Sequence, residues 1–210
     1  MTESINRSLL RSPYPYGAVA VLAAVGVLVA YIAGAFEGPR GEIKADDVCL
    51  HVPDRSAAAE TLNRVLPRSS TYDFYETWRP DQDWGFRSFC AVKGDGDETL
   101  FYLQSTVGPV KSPSKWVDDT LPYKSSGKPT YFNSGIKGVS LVNAAAIYVP
   151  CYRSEETSKA RYNMTVLAHA VEPLEASEKE ARKALIDLAT SFARQAHQDA
   201  KCDLPSEIDK

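Results

Sequence analysis

Residues 17–36, GAVAVLAAVGVLVAYIAGAF, run for twenty positions without a charge, and no other segment limits the architecture as much. At about 1.5 Å rise per residue, a helix of this length reaches roughly 30 Å, the thickness of a bilayer's hydrocarbon core. Nine of the twenty are Val, Leu, Ile or Phe, which favour insertion by about 3–5 kcal/mol with no charge opposing. The run predicts a transmembrane helix over 17–36. Arg7 and Arg11 precede it against Glu3, whereas Glu37, Arg40, Glu42, Lys44, Asp46 and Asp47 follow. The positive-inside bias therefore places residues 1–16 in the cytoplasm and the long C-terminal part outside.

A cleaved signal peptide competes with that reading. Ala33-Gly34-Ala35 fits the small-x-small cleavage pattern, and cutting near Ala35 would release a secreted protein. The apolar run is longer than a usual signal core, which favours an uncleaved anchor in the cell membrane. The first cysteine, Cys49, lies well beyond the run and gives no lipoprotein attachment point. Gly26, Ala30 and Gly34 form a small-xxx-small ridge through which two such helices could pair as a homodimer. Ala/Gly-rich anchors also show that spacing by chance.

Beyond residue 36 the chain carries 22 basic and 26 acidic residues. This mildly acidic balance argues against a nucleic-acid binder, which needs a basic face. Residues 37–46, containing Gly38-Pro39-Arg40-Gly41, read as a linker, 47–205 as one extracytoplasmic domain and 206–210 as a loose tail. Some 160 residues suffice for one real core. All four cysteines, Cys49, Cys90, Cys151 and Cys202, fall on the exported side. An even count in an oxidising compartment reads as two disulfides; spacing leaves three pairings open. Each bridge closing forty to fifty residues would contribute about 4 kcal/mol on the chain-entropy account. The absence of a CxxC pair removes zinc and thioredoxin-like readings.

Ser56–Leu66 places Ala58, Leu62, Val65 and Leu66 on one helical face, and Pro67 stops it. Thr71–Arg79 alternates as a strand, with Tyr72, Phe74 and Trp78 to one side. Phe86–Val92 and Leu100–Thr106 read as strands joined by Gly94-Asp95-Gly96-Asp97, where Asp-Gly supplies the positive φ a hairpin needs. Ser140–Pro150 and Tyr162–Val171 read as a second hairpin around Arg153-Ser154-Glu155-Glu156. Ser177 and Glu180 form a capping box for a long helix whose stripe is Ala181, Leu185, Leu188, Phe192 and Ala196, ending near Cys202. Helix, three strands, long loop, two strands, helix: this order predicts an α+β domain, an antiparallel sheet with two packed helices on one face.

The long irregular segment is Val107–Val139, rich in Gly, Pro, Ser and Lys, and connections of this length are usually functional or disordered. Lys111, Lys115, Lys124, Lys128 and Lys137 outnumber Asp118 and Asp119, with Trp116, Tyr123, Tyr131 and Phe132 interleaved. Rings beside cations suit a sugar, an anionic polymer or a protein partner. The competing reading is a surface loop whose aromatics fold back onto the sheet. Lys111, Lys115, Trp116, Tyr123, Lys128, Tyr131 and Phe132 are the binding candidates.

No catalytic, cofactor-binding or metal-binding constellation emerges. His51, His169 and His197 have no metal-ligand spacing to one another or to a cysteine. Ser112-Pro113-Ser114-Lys115 and Ser125-Ser126-Gly127-Lys128 match S-x-x-K, but that chemistry needs the serine at a helix start, and both lie in the presumed loop. Gly138-Val139-Ser140-Leu141-Val142 lacks the second glycine of a nucleophile elbow. Asp95, Asp97 and Glu98 form too short a loop for an EF-hand, and no phosphate-binding glycine loop is present. Asn163-Met164-Thr165 is a glycosylation sequon within a predicted strand.

The cysteine before a short Ala/Leu helix ending in Leu66-Pro67, then Phe89-Cys90-Ala91-Val92, Val149-Pro150-Cys151 and the closing Phe192 to Cys202-Asp203-Leu204-Pro205 carry a resemblance. Over most of 47–205 the chain resembles uncharacterised single-pass membrane or secreted proteins of actinobacteria, of the Streptomyces type, with a disulfide-bonded extracytoplasmic domain. The resemblance implies an α+β fold like that of small lipoprotein and sensor domains, and the pairing Cys49–Cys90 with Cys151–Cys202. It carries over no catalytic residue. The expected function is a membrane-anchored binding or sensing module of the cell envelope, not an enzyme, contacting a cell-wall polymer, lipid or envelope protein. The alternatives are a small envelope hydrolase or a structural accessory subunit of a membrane complex.

Overall fold

The computed structural model describes Val25 and residues 39–80, 85–122, 127–133, 137–153 and 160–208. The chain divides into two compact units, Met1–Pro39 and Arg40–Lys210, and every element named below belongs to the second. Among the described residues no helix is long and apolar enough to cross a membrane. Apart from Val25, the predicted span 17–36 lies outside the described residues, and so do the Gly26/Ala30/Gly34 ridge and the Ala35 cleavage position.

Seven strands form one antiparallel sheet. They are β1 (Asp73–Arg79), β2 (Arg87–Lys93), β3 (Thr99–Pro109), β4 (Thr130–Asn133), β5 (Lys137–Ser140), β6 (Ala144–Arg153) and β7 (Ala160–Ala170), in the order β1-β2-β3-β7-β6-β5-β4. The Asp-Gly turn joins β2 to β3 as the sequence predicts, with Gly96 at φ +76. Its Asp95 carboxylate accepts from the Ser70 N–H and hydroxyl, each at 2.7 Å, fastening the turn to the lead-in of β1. Three helices accompany the sheet: α1 (Arg55–Val65), α2 (Pro113–Thr120) and α3 (Glu178–Asp199). Asp54 caps α1 by accepting from the Ala57 N–H. The Ser177/Glu180 capping box opens α3 as expected.

The main core lies between one sheet face and α1 with α3. Leu62 and Leu66 from the first helix region and Leu185, Leu188 and Phe192 from α3 meet Val92, Phe101, Leu103, Ile147, Val149, Met164 and Val166. Alternate residues of each strand point this way, the period-2 pattern of a sheet with one covered face. Both disulfides belong to this layer. Cys49–Cys90 joins the segment before α1 to β2, and Cys151–Cys202 joins β6 to the segment after α3. This is the pairing implied by the resemblance.

The expectation of five strands and two helices is corrected to seven and three. Segment 107–139 is not one irregular loop: β3 runs to Pro109, α2 follows, and a β4–β5 hairpin extends the sheet. Ser112 at the N-cap and Pro113 in the first turn start α2 in the usual way. The strand expected over Ser140–Pro150 is two strands, because a tight turn closed by the Leu141 N–H on the Ala144 carbonyl at 2.7 Å interrupts it. The continuous apolar composition there conceals that turn.

The domain also begins earlier than residue 47. Arg40 donates to the Asn63 and Leu66 carbonyls at the end of α1, and Asn63 exchanges two hydrogen bonds with the Ile43 backbone. Ile43 is buried, so 40–46 is part of the fold rather than linker. At the other end Ile208 is 3% exposed and belongs to the core, which corrects the loose tail from 206 as far as that residue.

Candidate functional site

Among the described residues the sheet's second face carries no long helix. On it, cross-strand partners line up as Tyr102–His169–Ala144, Gln104–Leu167–Ala146 and Thr106–Thr165–Tyr148 across β3, β7 and β6. Helix α2 lies against the β5–β7 half through Trp116, which is 2% exposed and clusters with Val139, Leu141, Ala146, Tyr148 and Leu167. The Trp116 indole Nε1–H donates to Thr165 Oγ1 at 3.1 Å, and its ring lies 5.0 Å from that of Tyr148. The Tyr148 hydroxyl accepts from the Lys111 N–H at 2.6 Å. Lys111 Nζ then pairs with Asp119 Oδ2 at 2.9 Å, bridging the start of the helical segment to its last turn. That hydrogen bond holds the Asp119 carboxyl below its ordinary value.

Two clefts flank the helix. Towards the sheet edge, Pro113, Trp116, Val117, Tyr131, Lys137 and Gly138 line an apolar cleft of about 290 Å³. Towards the sheet centre, Tyr102, Gln104, Thr106, Thr165, Lys111 and Asp119 line a polar cleft of about 340 Å³. Tyr102, Gln104 and Thr106 are half-buried. Their side-chain polar groups make no hydrogen bond among the described residues. Burial pushes the Tyr102 phenol up, so it stands as a neutral donor.

The structure separates the sequence candidates. Trp116 is an internal anchor of α2 and lines the apolar cleft rather than standing as an exposed ring. Tyr131 is 68% exposed. Phe132 is half-buried against the main core, lying over Gly138, where an added Cβ would come within 2.3 Å of its ring. Lys115 and Lys128 are exposed, and the Lys128 carbonyl accepts from Arg182 of α3. Tyr123 lies outside the described residues, as does Lys124. Two of the segment's lysines are engaged within the fold: Lys111 is paired with Asp119, and Lys137 sits 5.9 Å over the Tyr148 ring.

Sequence reasoning missed Tyr102, Gln104, Thr106 and Thr165 as site residues. The available signal was the alternation along Leu100–Thr106, which sets Tyr102, Gln104 and Thr106 on one face opposite the buried Phe101 and Leu103. The histidines play separate parts. His51 Nδ1 lies 2.9 Å from Glu76 and its ring stacks on Trp78. His169 is 6% exposed with no partner at either ring nitrogen, and burial lowers its pKa. His197 Nε2 meets the Pro150 carbonyl at 3.1 Å. Among the described residues no cluster of three metal-ligating side chains forms. Asn163 is buried within β7, which keeps the sequon from an enzyme's reach.

Ser112 stands at a helix start after all, contrary to the loop expectation. Ser112 and Lys115 are nonetheless both exposed, where the lysine lacks the desolvation that activates a catalytic amine. The chain matches no protein-family model, and no curated protein or solved structure matches it significantly.

Proposed function

We propose that this protein is a membrane-tethered, extracytoplasmic binding module of the cell envelope. Its N-terminus lies in the cytoplasm, residues 17–36 cross the bilayer, and the domain from Arg40 onwards binds a wall polymer or envelope protein outside. One observation carries the binding reading: α2 is clamped to the sheet so that a polar cleft opens beside it, where the Tyr102, Gln104 and Thr106 side chains make no hydrogen bond among the described residues. Polar groups left unspent in a preformed concavity are the ordinary mark of a ligand site. Two disulfides support an oxidising compartment, and the charge asymmetry around 17–36 supports the orientation.

The test is photo-crosslinking in living cells with the reactive side chain at position 115, on the exposed side of α2. Capture of an envelope component, absent when the reactive side chain sits at position 60 on α1, is the expected result. Identical capture from both positions, or labelling of the domain from the cytoplasmic side, overturns the reading.

A further inference from the structure

The polar cleft does not stand alone on its face. Tyr75 of β1, Phe89 of β2 and Tyr102 of β3 form a row across three strands, with ring centroids 6.5 Å and then 5.6 Å apart. His169 of β7 continues it, 5.1 Å from Tyr102. Tyr75 is 54% exposed, and Phe89 and Tyr102 are half-buried. The row therefore meets the wall of the polar cleft at Tyr102.

The chemistry of this arrangement is specific. Ring faces offer flat apolar surface that packs against C–H groups. The Gln104 amide and the Tyr102 and Thr106 hydroxyls offer both donors and acceptors. Among the described residues the only charges lining the cleft are Lys111 and Asp119, and they pair with each other at 2.9 Å. An anionic ligand would have to break that pair or leave its own charge uncompensated. A hydroxyl-rich, uncharged ligand fits without either cost, taking alternating donors and acceptors from the cleft and laying its apolar ring faces on the row.

We propose that the polar cleft and the Tyr75–Phe89–Tyr102 row form one binding site for an uncharged glycan, with one sugar unit seated against Gln104 and Thr106 and the next units stacked along the row. The site deepens the envelope-binding reading and rests on it. Tyr102 is the junction, contributing its ring to the row and its hydroxyl to the cleft.

The experiment titrates the full-length chain, held in a detergent without a sugar headgroup, with neutral oligosaccharides of glucose, N-acetylglucosamine or mannose and with polygalacturonate. Saturable binding of a neutral oligosaccharide is expected. Gln104→Ala and Tyr102→Phe, which delete polar atoms from half-buried surface positions, should weaken it several-fold. Tyr102→Ala should weaken it about tenfold, the sum of a lost ring contact and a lost hydrogen bond. Tyr75→Ala should weaken long oligosaccharides while leaving the monosaccharide unchanged, and Lys128→Ala should change neither. Preference for polygalacturonate, or loss with Lys128→Ala but not Gln104→Ala, overturns the uncharged-glycan assignment. Binding to none of these sugars also overturns it, and capture from position 115 then shows that the envelope-binding reading survives. Failure of both experiments removes both.

Discussion

Trp116 of α2 donates its indole N–H to Thr165 of β7 at 3.1 Å, and that bond ties the helix to the centre of the sheet. Replacing Trp116 with Phe keeps most of the packing but strips the donor, and should cost about 1 kcal/mol. Trp116→Ala empties a buried site and should cost about 3–5 kcal/mol. Urea unfolding measures both. Equal losses for the two variants would mean that the hydrogen bond, not the packing, holds α2.

Gly138 faces the Phe132 ring across the β4–β5 pair, and a Cβ added there would lie only 2.3 Å from that ring. Gly138→Ala should therefore destabilise the domain by about 1–3 kcal/mol through overpacking. Adding Phe132→Leu should recover part of that loss. A double-mutant cycle without coupling would show that the hairpin shifts freely.

Hydrogen bonds from Ser70, first from its backbone and then its hydroxyl, draw the Asp95 carboxyl down from 3.8 to about 2. A depressed carboxylate contributes stability above its unfolded value and loses it as pH falls through the folded value. Unfolding midpoints should thus drop between about pH 4 and pH 2 more steeply in the native protein than in Asp95→Asn. Parallel pH profiles for the two proteins would count against this linkage.

His169 titrates in the opposite part of the scale. Burial lowers it from 6.5 in the unfolded chain, so the unfolded state takes up a proton that the folded state refuses. Its contribution is present above pH 6.5 and is lost as pH falls towards the folded value. Burial lowers His197 too, although the Pro150 and Leu204 backbones oppose it. His169→Leu should flatten the dependence of stability below pH 6.5 without abolishing it. Part of the residual slope belongs to His197, and a double variant should flatten it further above the carboxylate range.

Replacing Cys151 and Cys202 together with Ala should cost about 2–5 kcal/mol, measured against the native protein under non-reducing conditions. Mass mapping of unreduced peptides should return the Cys49–Cys90 and Cys151–Cys202 linkages. A Cys49–Cys151 peptide would contradict the fold itself.

The main layer was legible because its signals are local and periodic. The α3 stripe from Ala181 to Ala196 is buried throughout, and Ser177 with Glu180 marks its start within four residues. The Asp95-Gly96 turn likewise declares its hairpin. The second face was less legible because its elements are short and punctuated by Pro and Gly. Four residues, Thr130–Asn133, make a strand only because β5 lies beside them, and α2 is a helix whose stability comes from burying Trp116. The site was missed for a related reason. Tyr102, Gln104 and Thr106 come to share a cleft with Lys111 and Asp119 only when α2 folds back onto the sheet, a juxtaposition that no sequence spacing encodes. Five lysines among loop positions, interleaved with rings, suggested a sugar, an anionic polymer or a protein partner, but charge counted along the chain ignores the pairing of Lys111 with Asp119.

Because α1 and α3 cover one face of the sheet and α2 only part of the other, folding and recognition draw on different residues of the same strands. Along β3, Phe101, Leu103, Ser105 and Val107 are buried, while Tyr102, Gln104, Thr106 and Gly108 are half-buried. Substitution at every position of β3 should therefore give a sawtooth of tolerance with a step of two. The inner teeth answer to chain expression and melting, the outer teeth to whatever the surface meets. Such a chain is free to exchange its ligand over evolutionary time by altering alternate letters of one strand, with its core unaware of the change.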